Sequence, residues 1–185
     1  MKIIKNTQII EDIRNLLISS RQQIQYTVNH TMVQTYWNIG KMIVEDEQGG
    51  NNKAQYGKKQ LEYISNTLTK EFGKGFDSRN LRNMRQFYIV FPIWHSVSAK
   101  LSWTHYKKLM TIENQEARQW YIDETIANNW SARALDRQIA NLYYERLLSS
   151  QDKSLVQKEA KEKTNELQIE LLRERNLILD GADSE

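Results

Sequence analysis

The side chains with the clearest chemical reach in this sequence are basic. In GKGFDSRNLRNMRQFY, residues 73–88, arginines recur every third position at Arg79, Arg82 and Arg85, interleaved with Asn83 and Gln86. Arginine presents a planar fork that matches guanine or a phosphate, and asparagine or glutamine matches adenine. On a helix over 78–91, stepped at about 100° per residue, Leu81, Met84, Tyr88 and Phe91 share one face. Arg79, Arg82, Asn83 and Gln86 take the opposite face, and Arg85 sits at the flank. Two readings fit this division: a recognition helix for the major groove, or an amphipathic helix whose basic face meets only solvent. Lys58, Lys59, Lys70 and Lys74 precede it and are candidate phosphate contacts. A second segment, 131–148, sets Arg133, Arg137 and Tyr144 opposite Leu135, Ile139, Leu142 and Tyr143. Asp136 and Glu145 dilute its charge, so the solvated face is the stronger reading there.

Charge distribution fits either a phosphate footprint or a solvated helix face, and for a charge run the solvated face is the more common case. The formal net charge is only +3, but residues 53–85 hold eight basic side chains against three acidic ones. Residues 151–185 hold six basic and nine acidic ones. Enzymatic constellations are scarce. His30, His95 and His105 lie far apart, and His105 in LSWTHY reads as a packing or hydrogen-bonding residue. Glu159 and Lys161 form an E-x-K string of the kind that any charged helix contains. No phosphate-binding glycine loop and no nucleophile elbow occurs. Cysteine is absent, which excludes disulfides, thiolate metal sites and a cysteine nucleophile. No metal and no small-molecule cofactor is expected.

The elements that must position these residues are helices. Seven glycines and one proline, Pro92, in 185 residues argue against an all-β fold and for long helices. Residues 7–46 read as helix, continuous or bent near Ser19 and Ser20, with Ile13, Leu17, Ile24, Val28, Met32, Ile39 and Ile43 as its apolar positions. Helices follow over 54–72, 78–91, 102–112, 115–128 and 131–149. In the 54–72 helix, Leu61, Ile64, Leu68 and Phe72 share a face. Gly73 and Gly75 break the chain, Asp77 caps the next helix, and Phe76 staples to Leu81. Ser102 and Ser131 repeat the same cap grammar. Trp37, Trp103, Trp120 and Trp130 are read as core. Residues 93–100 are a loop or a short β-arm. Residues 151–180 form a charged helix in which Leu167, Leu171, Leu172, Ile178 and Leu179 give a partial apolar face. The fold class is therefore all-α: a helix-turn-helix-containing domain over 1–150, with one or two such units, and a charged helical extension over 151–185. With a mean hydropathy of -0.72 and no long apolar run, no membrane contact is expected. A soluble cytoplasmic protein is the simplest placement.

The ordered motifs TYWNIGKMIVEDEQGG, AQYGKKQLEYISNTL, GKGFDSRNLRNMRQFY, LSWTHYKKLMTI and NWSARALDRQIANLYYERLL resemble the N-terminal domain of the YhcG-type PD-(D/E)XK nucleases. The resemblance runs from about residue 10 to about residue 163. It implies a bacterial, helical DNA-binding domain that precedes a nuclease domain and often sits beside restriction-modification systems. The nuclease half has no counterpart here. Such a site needs an Asp and an E/D-x-K pair to hold Mg²⁺, whereas Pro92 is followed by Ile93. The expectation is a non-enzymatic module that binds double-stranded DNA, either as a fragment or as a stand-alone relative. The alternative is a protein-interaction module that forms a homo-oligomer or partners a nuclease or restriction subunit.

Overall fold

The structure, a computed structural model, describes residues 7–49, 54–94 and 97–165. Its helices are α1 (Thr7–Gly49), α2 (Ala54–Phe72), α3 (Ser78–Val90), α4 (Trp103–Leu109), α5 (Gln115–Ala127), α6 (Ala132–Ala140) and α7 (Tyr143–Ser149). An eighth, α8, runs over residues 153–165. No strand occurs among the described residues, in keeping with the all-α expectation, and the described part of 93–100 contains none. The chain divides into two compact units, Met1–Lys107 and Lys108–Glu185.

In the first unit α1 is a single helix of 43 residues with no break at Ser19 or Ser20, ~65 Å long. Only its second half has a core to face. Val33, Tyr36, Trp37, Ile43 and Val44 are buried, whereas Ile9, Ile13, Leu17, Ile24, Val28 and Met32 are exposed. Ile13, Leu17, Ile24, Val28 and Met32 nevertheless share one side of α1, roughly 120° wide, with Ile39 and Ile43. Leu61 and Ile64 of α2 pack against that side only at Ile39 and Ile43.

The buried half of α1 packs on α3, which delivers Leu81, Met84 and Phe87 fully into the core. Each such side chain contributes roughly 1.5–3 kcal/mol by leaving water. Gly40 marks the crossing. A β-carbon there would lie 2.0 Å from the Met84 carbonyl oxygen and 3.2 Å from the Tyr88 β-carbon. The Trp37 indole donates to the Phe91 carbonyl at 2.6 Å, which satisfies the end of α3. Tyr106 is wholly buried against Phe87 and Phe91, and its hydroxyl donates to the Ser98 carbonyl at 3.0 Å. Burial pushes its phenol above the ordinary value. Phe72, on the same face of α2 as Leu61, Ile64 and Leu68, is exposed and meets Phe76 edge-on.

The second unit corrects one element. The segment 131–149 is not one helix but α6 and α7, separated at Asn141 and Leu142. Leu142 adopts φ 52°, which is costly for a branched side chain, and it is exposed rather than inward. Tyr121 of α5 explains the break. Its buried hydroxyl donates to the Gln138 carbonyl at 3.2 Å and accepts from the Tyr144 N–H at 3.1 Å, so the backbone groups that the interruption frees are paired. α8 docks through buried Val156 and Ala160. Gln138, itself buried, donates to the Ala160 carbonyl at 3.1 Å and the Thr164 hydroxyl at 3.0 Å. Glu159 pairs with Arg146 and Lys163. Leu167, Leu171, Leu172, Ile178 and Leu179 lie outside the described residues.

Candidate nucleic-acid interface

The interface is built around the start of α3. Gly73 ends α2 with φ 89° and ψ -173°, a backbone region that is essentially glycine-only. Lys74–Phe76 then make one 3-10 turn. The Asp77 carboxylate accepts from the Asn80 N–H at 2.8 Å, as its position predicts. Phe76 packs against the cluster that contains Leu81 and Met84, so the staple forms. Gly75 has no need of its own conformational freedom. Its contribution is a carbonyl that accepts from the Asn80 side-chain amide at 2.6 Å.

Asn80 is the residue the sequence reading passed over as a site residue. Its amide nitrogen holds the turn, and its amide oxygen accepts from the Trp103 indole at 3.2 Å. One side chain thus ties the turn, α3 and α4 together. The available signal was local: an amide at the third position of a capped helix, where it can reach back over the turn.

The two faces of α3 separate as expected, with Phe87 added to the buried side. Arg79, Arg82 and Gln86 are exposed, and Asn83 is half-buried. Among the described residues neither Arg79 nor Arg82 has an acidic partner. Arg85 does: its Nε donates to the Glu47 carboxylate at 2.7 and 3.0 Å. Both side chains are partly exposed, so the pair is worth about 1 kcal/mol or less, but it braces α3 against α1. Lys70 lies in the last turn of α2 and Lys74 in the 3-10 turn, both exposed. Lys59 is exposed about three turns up α2, ~16 Å from Lys70 along the axis. Lys58 lies on α2, but its side chain is outside the described ones.

The second candidate lies in the other unit. α5 and α6 repeat the turn logic. Asn114 caps α5 through the Ala117 N–H at 3.0 Å, and Ser131 caps α6 through the Ala134 N–H at 3.1 Å. Arg133 is exposed and Arg137 half-buried. Asp136 between them pairs with Lys108 at 2.8 Å, which leaves this face of α6 less basic. Arg118 is committed inward: it donates to the Ile112 carbonyl at 2.7 and 3.0 Å, and burial lowers its pKa.

Other chemistry is sparse among the described residues. His105 Nδ1 accepts from the Ser102 N–H at 3.2 Å and lies 2.7 Å from its hydroxyl, so the ring closes the start of α4. His30 stacks on Tyr26 and meets Trp94 edge-on. No three acidic or histidine side chains gather to hold a metal ion. A cleft of ≈ 320 Å³ between α1 and α2 is lined mainly by Ile39, Met42, Ile43, Leu61, Ile64 and Leu68. Asp46, Glu47 and Gln60 complete its lining. No described helix is long and apolar enough to cross a membrane.

Residues 12–146, which include α3, its turn and both cap motifs, match the DUF1016 N-terminal domain. The chain belongs to that family. Among curated proteins, the DUF1016 chain is 35% identical over 200 residues to "Putative nuclease YhcG" of Escherichia coli (strain K12). The match covers 90% of this chain and 53% of YhcG, so the DUF1016 chain spans about half the length of that relative. No solved structure matches.

Proposed function

We propose that this chain is a non-enzymatic module that engages double-stranded DNA through α3. The observation that carries the reading is the state of Arg79, Arg82 and Gln86. They stand exposed on a helix whose other side buries Leu81, Met84, Phe87 and Phe91, and whose first turn is locked by Asp77, Asn80 and Gly73. A 13-residue helix is ~20 Å long and fits a major groove ~12 Å wide. In this reading Arg79, Arg82, Asn83 and Gln86 face base edges. Lys70 and Lys74 flank the helix start and contact phosphates, and Lys58 and Lys59 extend that track. Arg85 positions α3 through Glu47, while Arg133 and Arg137 are secondary phosphate contacts. Kinship with a protein named as a nuclease agrees with a domain that meets nucleic acid. The corresponding setting is a bacterial cytoplasm, beside restriction-modification functions.

The test is an anisotropy titration of labelled duplex across salt concentrations. Each contacted phosphate contributes about -0.9 to the slope of log K against log salt. Replacing Arg79 and Arg82 together with alanine should weaken binding roughly 100-fold or more without changing the unfolding temperature. Wild-type affinity in that variant sinks the assignment. Mg²⁺-dependent cleavage of DNA by the purified chain, abolished by EDTA, sinks the non-enzymatic part.

A second reading, an association module, is favoured by one separate observation: the exposed apolar side chains along the first half of α1.

A further inference from the structure

We infer that the first half of α1 is a homodimerisation surface, covered by the same segment of a second copy of this chain. The inference names the partner for the association reading and rests on it. It does not depend on what α3 binds.

Stepped at about 100° per residue, Ile10, Ile13, Leu16, Leu17, Ile24 and Val28 fall within one stripe roughly 120° wide. These six side chains are between 51% and 65% exposed. Four of the buried residues farther along the same helix, Val33, Tyr36, Trp37 and Val44, point about half a turn away from that stripe, whereas Ile39 and Ile43 lie near its edge and pack with Leu61 and Ile64 of α2. The stripe is therefore set on the side of α1 opposite to the one that α3 occupies. It continues, beyond the domain's own core, the side that meets α2.

Its dimensions fit self-association. Half-exposed aliphatic side chains offer on the order of 100 Å² each, so six give ~600 Å² per copy and ~1,200 Å² per pair, the lower bound of specific interfaces. Exposed apolar patches of this size on a soluble chain mark interaction sites. Ile10, Ile13, Leu17, Ser20 and Ile24 follow the alternating three-and-four spacing of a helix seam, with the small Ser20 allowing close approach at its middle.

Charge narrows the occupant. Between residues 9 and 28 the charged side chains are Glu11, Asp12, Arg14 and Arg21, two of each sign. A neutral segment has no attraction for phosphate. It also lacks the cationic polar face of a helix that lies on an anionic membrane. An identical, equally neutral stripe meets no repulsion, and a twofold pairing of one patch with itself closes without leaving a sticky end.

Sedimentation equilibrium of the full chain at micromolar concentration should give a mass near twice 22.0 kDa. Leu17→Asp combined with Ile24→Asp should give the single-chain mass while circular dichroism still reports a folded helical chain, because neither residue is buried. The chain has no cysteine, so engineered thiols report directly. Ser20→Cys lies near the midpoint of the stripe and should cross-link on mild oxidation whether the helices pair parallel or antiparallel. Gln22→Cys, on the far side of α1, should not. A wild-type chain that stays monomeric overturns the inference. So does a dimer that survives the aspartates, or one that cross-links through Gln22→Cys as fast as through Ser20→Cys. Arg79→Ala with Arg82→Ala should dimerise like wild type, so failure of duplex binding and failure of dimerisation are read separately.

Discussion

Gly40→Ala separates packing from propensity at the centre of the first unit. In an exposed helix the change stabilises by about 1 kcal/mol, and α1 is a long regular helix at this point. The crossing with α3 reverses the sign. A β-carbon at residue 40 meets the Met84 carbonyl oxygen at 2.0 Å and its carbonyl carbon at 2.7 Å. Ordinary van der Waals contact begins near 3.4 Å, so α3 would have to retreat by more than 1 Å. The obstacle is backbone, which no rotamer change can move aside. A retreat also loosens Leu81, Met84 and Phe87, each fully buried on that face. Overpacking costs typically 1–3 kcal/mol. A clash at 2.0 Å with backbone belongs at the upper end of that range, so after the propensity gain is subtracted a net loss of about 2 kcal/mol remains. For a unit of roughly 100 residues this lowers the unfolding temperature by about 5–15 °C. Thermal unfolding followed by circular dichroism and tryptophan fluorescence measures it. Gly75→Ala is the internal control: nothing lies within 4 Å of its added carbon and it has no positive φ, so it should be neutral or slightly stabilising. A Gly40→Ala chain that melts at or above the wild-type temperature would refute the close crossing.

Tyr121→Phe removes the hydroxyl that bridges the Gln138 carbonyl and the Tyr144 N–H. It should cost about 1–3 kcal/mol, read as a lower denaturant midpoint with an unchanged slope. Asn80→Ala releases Gly75 and Trp103 and should cost about 1–2 kcal/mol. It should also raise amide exchange across residues 73–80; unchanged exchange there would mean that the turn is held by other contacts. Lys163 and Arg146 hold the Glu159 carboxylate below its ordinary value of 4.5. The folded state therefore favours the ionised form. Its contribution is present above that value and is lost as the pH falls through the depressed one. Amide protection of residues 153–165 should decline over that acid range, and Glu159→Gln should flatten the decline. Asp152, held low by the Ser154 hydroxyl and N–H, leaves a residual dependence of the same sign.

What the sequence made legible was local. Asp77 and Ser131 sit where capping chemistry puts them, and both bonds form. The two faces of α3 follow from helical geometry alone, because a short helix accumulates little angular error. Phe87 was the omission: it sits at the edge of a stripe centred on Leu81 and Tyr88, and only the approach of Trp103 and Tyr106 makes it core. The break at Leu142 was not legible. The backbone groups at the break are paired by a hydroxyl that arrives from Tyr121, more than one helix earlier. The exposure of the first half of α1 was not legible for a different reason: its apolar residues share a side with Ile39 and Ile43, and only the reach of Leu61 and Ile64 decides which of them are covered. At the candidate interface, residue types marked α3, but the tie between Arg85 and Glu47 spans 38 positions and had no local trace.

The exposed stripe of α1 and the side that α3 covers share one helix but not one azimuth. The passage from exposed to packed helix lies between Val28 and Asn29, because His30 already meets Trp94 edge-on. One residue inserted there would turn the upstream stripe by about 100° and advance it ~1.5 Å while every core contact downstream stayed as it was. The segment works as a dial. Single insertions and deletions at that point would swing whatever the stripe grips around the domain's axis, one setting per residue.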